Sequence, residues 1–200
     1  KKAEEKPPES RLTDQIYQEV ILEDFENVEF TDKNLQFKVT NEQKGQLRIR
    51  SEADNAVPAP FNNSKKFLGL KVYARKGDHF TIIPARELII EKHCKSIGVW
   101  VYGKRFAAEL TIMIQDVDGT IFNLSLGTMD FLGWRKIKVK IPAKARQQDE
   151  YLNRKTTMKI VKLIYSPKND TQVPMWQTLY IDDITARVRE KYSDRQSDEW

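Results

Sequence analysis

The sequence predicts an all-β protein, an antiparallel β-sandwich of the jelly-roll type, and three observations lead to this prediction. Residues 96–142 contain four strand-like segments in series, and in one of them Leu110, Ile112 and Ile114 alternate with polar neighbours. This alternation is typical of a strand with one buried face. Gly, Asn, Asp and Pro occur between the segments, where turns are needed. A chain of 200 residues, 40% of them hydrophobic, has enough apolar side chains for one such domain.

The first half of the chain is predicted to begin with an arm and to continue with strands. Residues 1–18 are expected to form an N-terminal arm, partly disordered or with a short helical turn over residues 11–19. The strands predicted after it are residues 20–25, 35–40, 46–50, 67–74, 80–83 and 87–91. Residues 51–66 are expected to form a long surface loop. Long loops often carry recognition, so Asn62 and Asn63 in this loop are candidates for contact with a partner.

The second half contains the most regular strand patterns. The predicted strands are residues 97–102, 109–115, 121–126, 136–141, 158–165 and 177–187. Residues 116–119, with sequence DVDG, are predicted to form a compact turn whose glycine can take a positive φ. We expect one sandwich domain over residues 19–189, followed by a charged tail at residues 190–200.

Few residues that carry out chemistry are present. No G-x-S-x-G segment and no glycine-rich phosphate loop occurs, so hydrolase and nucleotide-binding functions are not indicated. His79, His93 and the single cysteine, Cys94, are too few ligands for a structural zinc site, and we interpret Cys94 as a buried structural thiol. No hydrophobic run approaches the ~20 residues that a membrane span needs. The sequence therefore predicts a binding or structural protein rather than an enzyme.

Basic residues are concentrated in one part of the chain. The net charge is +5, and residues 134–168 contain eleven Lys or Arg but only two acids. Lys136, Lys138 and Lys140 alternate with apolar residues on one predicted strand and are candidates for contact with an acidic partner. The simpler interpretation is that outward lysines keep a strand edge from aggregating. No interleaving of arginine with aromatic residues accompanies them, so a nucleic-acid partner is not expected.

Two acidic pairs lie near opposite ends of the chain. Glu23 and Asp24 end the first predicted strand, and Asp182 and Asp183 lie in the last one. If the two terminal strands are neighbours, the four carboxylates converge, and oxygen ligands of this kind suit a structural Ca²⁺ ion. The alternatives are ordinary solvated acids or a glycosidase pair, and no cleft is indicated for the latter. No other cofactor is expected.

Aromatic residues are the remaining candidates for recognition. Trp100 and Tyr102 share one face of their strand, where they either pack beneath another element or form a platform for a sugar or a protein. Trp134 is interpreted as a core residue. Trp176 is predicted to lie in a loop and is the better candidate for contact with a partner.

An ordered series of segments resembles the spirochaete flagellar filament outer-layer proteins, the FlaA sheath family. The segments that carry the resemblance are VWVYG at residues 99–103, IQDVDG at residues 114–119, LSLG at residues 124–127, FLGWR at residues 131–135, IP at residues 141–142 and LYIDDI at residues 179–184. Their order and spacing are similar over residues 20–187, so the resemblance covers most of the chain.

The resemblance implies a non-enzymatic sheath subunit of the periplasmic flagellar filament, exported by a cleaved signal peptide. Its implied partners are core flagellin, other sheath or coiling proteins, and neighbouring copies or paralogues. The implied role is in filament stiffness, curvature and motility. The segment at residues 181–184, IDDI, is also similar to the last strand of galactose-binding-like jelly rolls. A protein like a carbohydrate-binding module, with Trp100, Tyr102 or Trp176 as its platform, is therefore the alternative.

Overall fold

The computed structural model describes residues 16–37, 44–51, 64–148, 157–168 and 173–190, and nearly all regular structure in them is β-strand. The strands are β1 (Gln18–Glu23), β2 (Leu35–Phe37), β3 (Lys44–Ser51), β4 (Lys66–Ala74), β5 (Phe80–Ile82), β6 (Leu88–Ile90), β7 (His93–Lys104), β8 (Ala108–Gln115), β9 (Ile121–Thr128), β10 (Leu132–Lys140), β11 (Met158–Pro167) and β12 (Met175–Arg189). A single turn of 3₁₀ helix, Asp32–Asn34, precedes β2.

The strands form two antiparallel sheets. In sheet I the order is β10-β7-β12-β4-β3, and β1 pairs with β12 next to the C-terminal half of that strand. In sheet II the order is β2-β5-β11-β8-β9, and β6 also pairs with β11. The long strand β12 therefore bridges β4 and β1 on one side and β7 on the other. This arrangement brings the chain's first and last described strands together.

The core lies between the two sheets and is built by the alternation visible in the sequence. Leu110, Ile112 and Ile114 of β8 are completely buried, as are Val99 and Val101 of β7. Their sequence neighbours point away from the opposing sheet and are more exposed. An apolar side chain of this size gains about 1.5–3 kcal/mol when it is fully buried. The prediction of an antiparallel β-sandwich is confirmed.

The turn between β8 and β9 forms as predicted. Gly119 has a φ of +86°, which an L-residue adopts only with strain. Asp116 fixes the turn, because its Oδ1 accepts hydrogen bonds from the N–H groups of Asp118 and Thr120 at 3.0 and 2.9 Å. Its Oδ2 accepts a further bond from the N–H of Arg146, which ties the turn to the segment after β10.

Several local expectations differ from the structure. The helical turn predicted for residues 11–19 does not extend to its end, because Gln18 and Glu19 already pair with β12. Trp176 lies within β12 and not in a loop, since β12 continues in register with β4 up to Met175. Residues 1–15, 52–63 and 191–200 lie outside the described residues. These ranges contain most of the predicted arm, loop and tail.

Cys94 is buried, as expected for a structural thiol. It is 1% exposed, and its Sγ lies 3.3 Å from the carbonyl oxygen of Ser96. Burial raises the pKa of this thiol to about 12, so that the reactive thiolate is disfavoured at neutral pH.

Candidate interaction surface

The outer face of sheet I carries most of the residues that the sequence singled out. Along β12, Leu179 and Ile181 point into the core, so the alternate residues Trp176, Tyr180 and Asp182 lie on the outer face. The neighbouring strands β4, β7 and β10 add aromatic and basic side chains to the same face. This face therefore combines an aromatic cluster, a row of lysines and a group of acids.

The aromatic cluster is packed tightly across four strands. The ring centroids of Tyr102 and Trp134 are 5.4 Å apart with the rings nearly perpendicular, and Tyr102 also contacts Tyr180 at 5.7 Å. Phe67 completes the cluster and contacts Trp134 at 5.5 Å and Tyr180 at 5.1 Å. Edge-to-face geometry of this kind is the favoured way for aromatic rings to pack. Trp134, interpreted from the sequence as core, belongs to this outer cluster instead.

The proposed platform residues are therefore placed in different surroundings. Tyr102 packs against two other rings of the cluster, Trp134 and Tyr180. Trp100 is half-buried between Lys136 of β10 and Asp182 of β12. Trp176 is the more accessible ring, with 45% of its surface exposed. It packs against Tyr73 with a centroid distance of 5.4 Å, and the Nζ of Lys71 lies 4.8 Å from its centroid.

The three lysines of β10 do not share one environment. All of them alternate with inward-facing residues, and β10 is the edge strand of sheet I. Lys136 forms an ion pair with Glu19 of β1, reaching across the sheet. Lys138 and Lys140 are exposed. Asn62 and Asn63, the other residues predicted to contact a partner, lie outside the described residues.

The two acidic pairs lie near each other, as the sequence suggested, because Glu23 ends β1, Asp24 follows it, and β1 pairs with the strand β12 that carries Asp182 and Asp183. Glu23 of β1 pairs in register with Ile184, next to Asp183. Glu23 is 1% exposed; its Oε2 accepts a hydrogen bond from Arg86 Nε at 2.9 Å and its Oε1 accepts one from the N–H of Phe25. Asp24 accepts one from the N–H of Glu26. Among the described residues, no three His, Cys, Asp or Glu side chains are grouped so that they could hold a metal ion. The calcium site stays a prediction that this geometry does not support.

Asp182 and Asp183 are the most perturbed carboxyl groups on this face. Asp182 is fully buried, accepts hydrogen bonds from Ser64 Oγ at 2.6 Å and from the N–H of Asp183 at 2.8 Å, and has its pKa raised by burial to about 7. Asp183 occupies a β-bulge with a φ of +35°. Burial, and after it the charge of Asp24, raises the pKa of Asp183 to about 6.

A basic groove that was not predicted from the sequence lies at the other end of the same face. The groove has a volume of about 330 Å³, and Arg48 and Arg50 of β3, Lys71 of β4 and Lys104 of β7 line it. Its floor includes Gly69 and Tyr180, and the described residues that line it include no acid. One signal was available, the alternation of Gln46, Arg48 and Arg50 along β3. No pattern in the sequence connects that strand with Lys104.

The part of the chain that the structure describes has no helix with the length and apolar character that a membrane crossing requires.

Solved structures with a similar fold are carbohydrate-binding modules. A solution structure of CtCBM11 aligns with a TM-score of 0.51 and 14% identity, covering 86% of this chain and 96% of that one. The family 11 module of the cellulosomal cellulase Lic26A-Cel5E of Clostridium thermocellum aligns with a TM-score of 0.49 and 11% identity, covering 88% and 97%. At such identities the likeness concerns the fold, and these neighbours are β-sandwiches.

Sequence relatives point to the flagellum. A flagellar filament outer layer-like protein of Brachyspira hyodysenteriae is 35% identical over 105 residues, which are 50% of this chain and 49% of that protein. The chain thus matches about half the length of this curated relative. The model of the flagellar filament outer layer protein family FlaA matches residues 18–193, which include all strands of both sheets. The resemblance noted in the sequence is confirmed, and the chain belongs to the FlaA family of flagellar filament outer layer proteins.

Proposed function

We propose that this protein is a non-catalytic sheath subunit of the periplasmic flagellar filament, exported by a cleaved signal peptide. In this role it binds the flagellin core and neighbouring sheath or coiling proteins, copies or paralogues, and contributes to filament stiffness, curvature and cell motility. The observation that carries the proposal is the family match over residues 18–193. The fold agrees with it, because a two-layer sandwich is a rigid body whose outer faces remain for contacts.

We assign the contact with the filament to the exposed end of the lysine row on β10, which is formed by Lys138 and Lys140. Lys138 and Lys140 project from an edge strand and are exposed, whereas the charge of Lys136 is already engaged by Glu19. A sheath subunit makes each contact many times along a filament, so each contact can be weak and still give stable assembly. Charge attraction between these lysines and an acidic filament surface suits such a contact.

Reversing the two exposed charges is expected to weaken binding to filaments. In the double variant Lys138→Glu/Lys140→Glu, we expect the affinity in co-sedimentation with core filaments to fall on the order of tenfold, with less dependence on salt than in the wild type. Lys136 is left unchanged, because a glutamate there would face Glu19 and destabilise the fold. The matched control is Lys33→Glu/Lys44→Glu, which reverses two exposed lysines elsewhere. Equal binding by wild type and the β10 variant would refute this assignment.

A second candidate function, carbohydrate binding, is favoured by the environment of Trp176. Its exposed ring, supported by Tyr73 and Lys71, has the character of a sugar-stacking platform. If this function is correct, a glycan array will identify a ligand that binds in the millimolar range or better. Calorimetry should then show about tenfold weaker binding for Trp176→Ala and near-normal binding for Trp176→Phe, since a sugar can stack on either aromatic ring. A ligand bound equally by all three proteins would place the sugar elsewhere.

A further inference from the structure

The basic groove on sheet I has positive charge on both walls, from Arg48 and Arg50 of β3 and from Lys104 of β7, and Lys71 of β4 lies on a strand between these walls. Arg48 lies on β3 and pairs with Gly69 of β4, which in turn pairs with Tyr180 of β12. Tyr180 pairs with Tyr102 of β7, two residues before Lys104. The walls on β3 and β7 are therefore three strand spacings apart, or about 14 Å between backbones.

Three of the cations that line the groove, Lys104, Lys71 and Arg50, pack against neighbouring residues. Lys104 Nζ donates a hydrogen bond to the hydroxyl of Tyr180 at 3.1 Å and lies 4.7 Å from the centre of that ring. Lys71 Nζ lies above Trp176 at the end of the groove. The stem of Arg50 crosses the floor, because a Cβ added to Gly69 would lie 2.7 Å from its Cγ. Side chains ordered in this way lose less entropy when they bind an anion.

We propose that this groove binds an extended, acidic segment of a partner protein. Successive side chains of an extended chain point to opposite sides. Two neighbouring carboxylates on such a segment would face Arg48 on one wall and Lys104 on the other. The charge of the lining favours a carboxylate-bearing ligand, and the planar guanidinium of Arg48 can bind a carboxylate through two parallel hydrogen bonds.

The groove and the β10 lysine row are separate parts of the outer face of sheet I. Lys138 and Lys140 do not line it. The proposal therefore does not depend on the filament assignment and is tested with the purified chain alone, so that either assignment can fail without the other.

The test uses two short peptides of equal charge. One contains four consecutive glutamates, and the other contains four glutamates alternating with serine. In an extended conformation the first presents carboxylates to both walls and the second to one wall only. We expect the wild-type chain to bind the consecutive peptide with a dissociation constant below about 1 mM at low salt, at least threefold more tightly than the alternating peptide.

Two variants connect this preference to the walls. Arg48→Gln/Lys71→Gln is expected to weaken binding of the consecutive peptide about tenfold. Lys104→Gln is expected to remove the preference, so that both peptides bind about equally. The control Lys33→Gln/Lys144→Gln removes two exposed charges outside the groove and should leave the affinity within about twofold of wild type. Thermal unfolding of each variant establishes that it is folded.

Three outcomes would overturn the proposal. The first is that the folded wild-type chain does not bind the consecutive peptide. The second is that the groove variants and the control variant lose affinity equally. The third is that an acidic polysaccharide such as polygalacturonate binds more tightly than the peptide, and that its binding depends on the same Arg48 and Lys71. The last outcome would assign the groove to a saccharide.

Discussion

Replacing Gly103 with alanine is expected to lower the free energy of unfolding by about 2–4 kcal/mol. A Cβ at this position would lie 2.4 Å from the carbonyl oxygen of Phe131 and 2.8 Å from its ring. That carbonyl cannot move freely, because it accepts a hydrogen bond from the N–H of Arg105 at 2.9 Å. The backbones of β7 and the segment leading into β10 must therefore separate. Urea denaturation of the purified variant measures the loss.

Gly127→Ala is the matched control for this substitution. Gly127 has a φ of +87°, and no atom lies within 4 Å of the Cβ that alanine would add. Its replacement introduces backbone strain without a clash and should cost about 1 kcal/mol. If the two variants lose the same stability, the close approach at Gly103 is not what makes the glycine necessary.

The expected loss at Gly103 has a functional consequence. In the described sheet, β10 is joined to sheet I through β7, and Gly103 pairs with Gly133 near the start of β10. A variant that loosens this pairing also loosens the strand that carries Lys138 and Lys140. We therefore expect Gly103→Ala to bind filaments less well at temperatures well below its midpoint of unfolding.

Replacing Asp182 with asparagine is expected to stabilise the protein in a pH-dependent way. The pKa of this buried carboxyl group is about 7 in the folded state, against an ordinary value of 3.8. Below about pH 4 the group is protonated in both the folded and the unfolded state, so its ionisation does not change the free energy of unfolding. Between pH 4 and pH 7 the unfolded chain loses this proton first, so wild-type stability falls as pH rises and levels off above pH 7. Asp183, with a pKa of about 6, adds to the same trend.

The asparagine variant avoids the cost of burying a charge at position 182. Its amide can still accept a hydrogen bond from the N–H of Asp183 and donate one to Ser64 Oγ, and these two groups are the partners of the native side chain. The gain in unfolding free energy over wild type should be near zero at pH 4 and about 1–3 kcal/mol at pH 8. Guanidinium denaturation at pH 4.5, 6 and 8 measures this difference.

The exposed Asp130→Asn is the control for a change in net charge and should alter stability by less than about 0.5 kcal/mol at every pH. A gain at Asp182 that does not change with pH would contradict the burial argument. The calcium hypothesis makes a separate prediction, that millimolar CaCl₂ stabilises the wild type at pH 8 and not the Asp182→Asn variant.

The strands could be predicted well because the alternation of apolar and polar residues within a strand is a local property of the sequence. The alternation at Leu110, Ile112 and Ile114 shows which side chains share a face, and the residues at 116–119 specify a turn without help from the rest of the chain. The convergence of the acids near the ends of β1 and β12 could be predicted from the sequence on the condition that the terminal strands are neighbours, which they are.

The sequence did not reveal which residues surround the side chains on the outer face of sheet I. The sequence shows three aromatic residues on two strands, Trp100, Tyr102 and Trp134. Only the strand order β10-β7-β12-β4 decides that Tyr102 and Trp134 pack in one cluster. The same holds for Lys136, whose partner Glu19 is 117 residues away, and for the groove between Arg48 and Lys104.

The amino-acid sequence by itself determined the fold class, the positions of most strands and the family. The tertiary structure alone decided which outward side chains are covered, which charges are already paired, and which basic residues form a groove. The physical reason is that periodicity records which residues share a face of their own strand. Contacts across a sheet depend on which strands lie side by side, and backbone hydrogen bonding is nearly the same for every choice of neighbour.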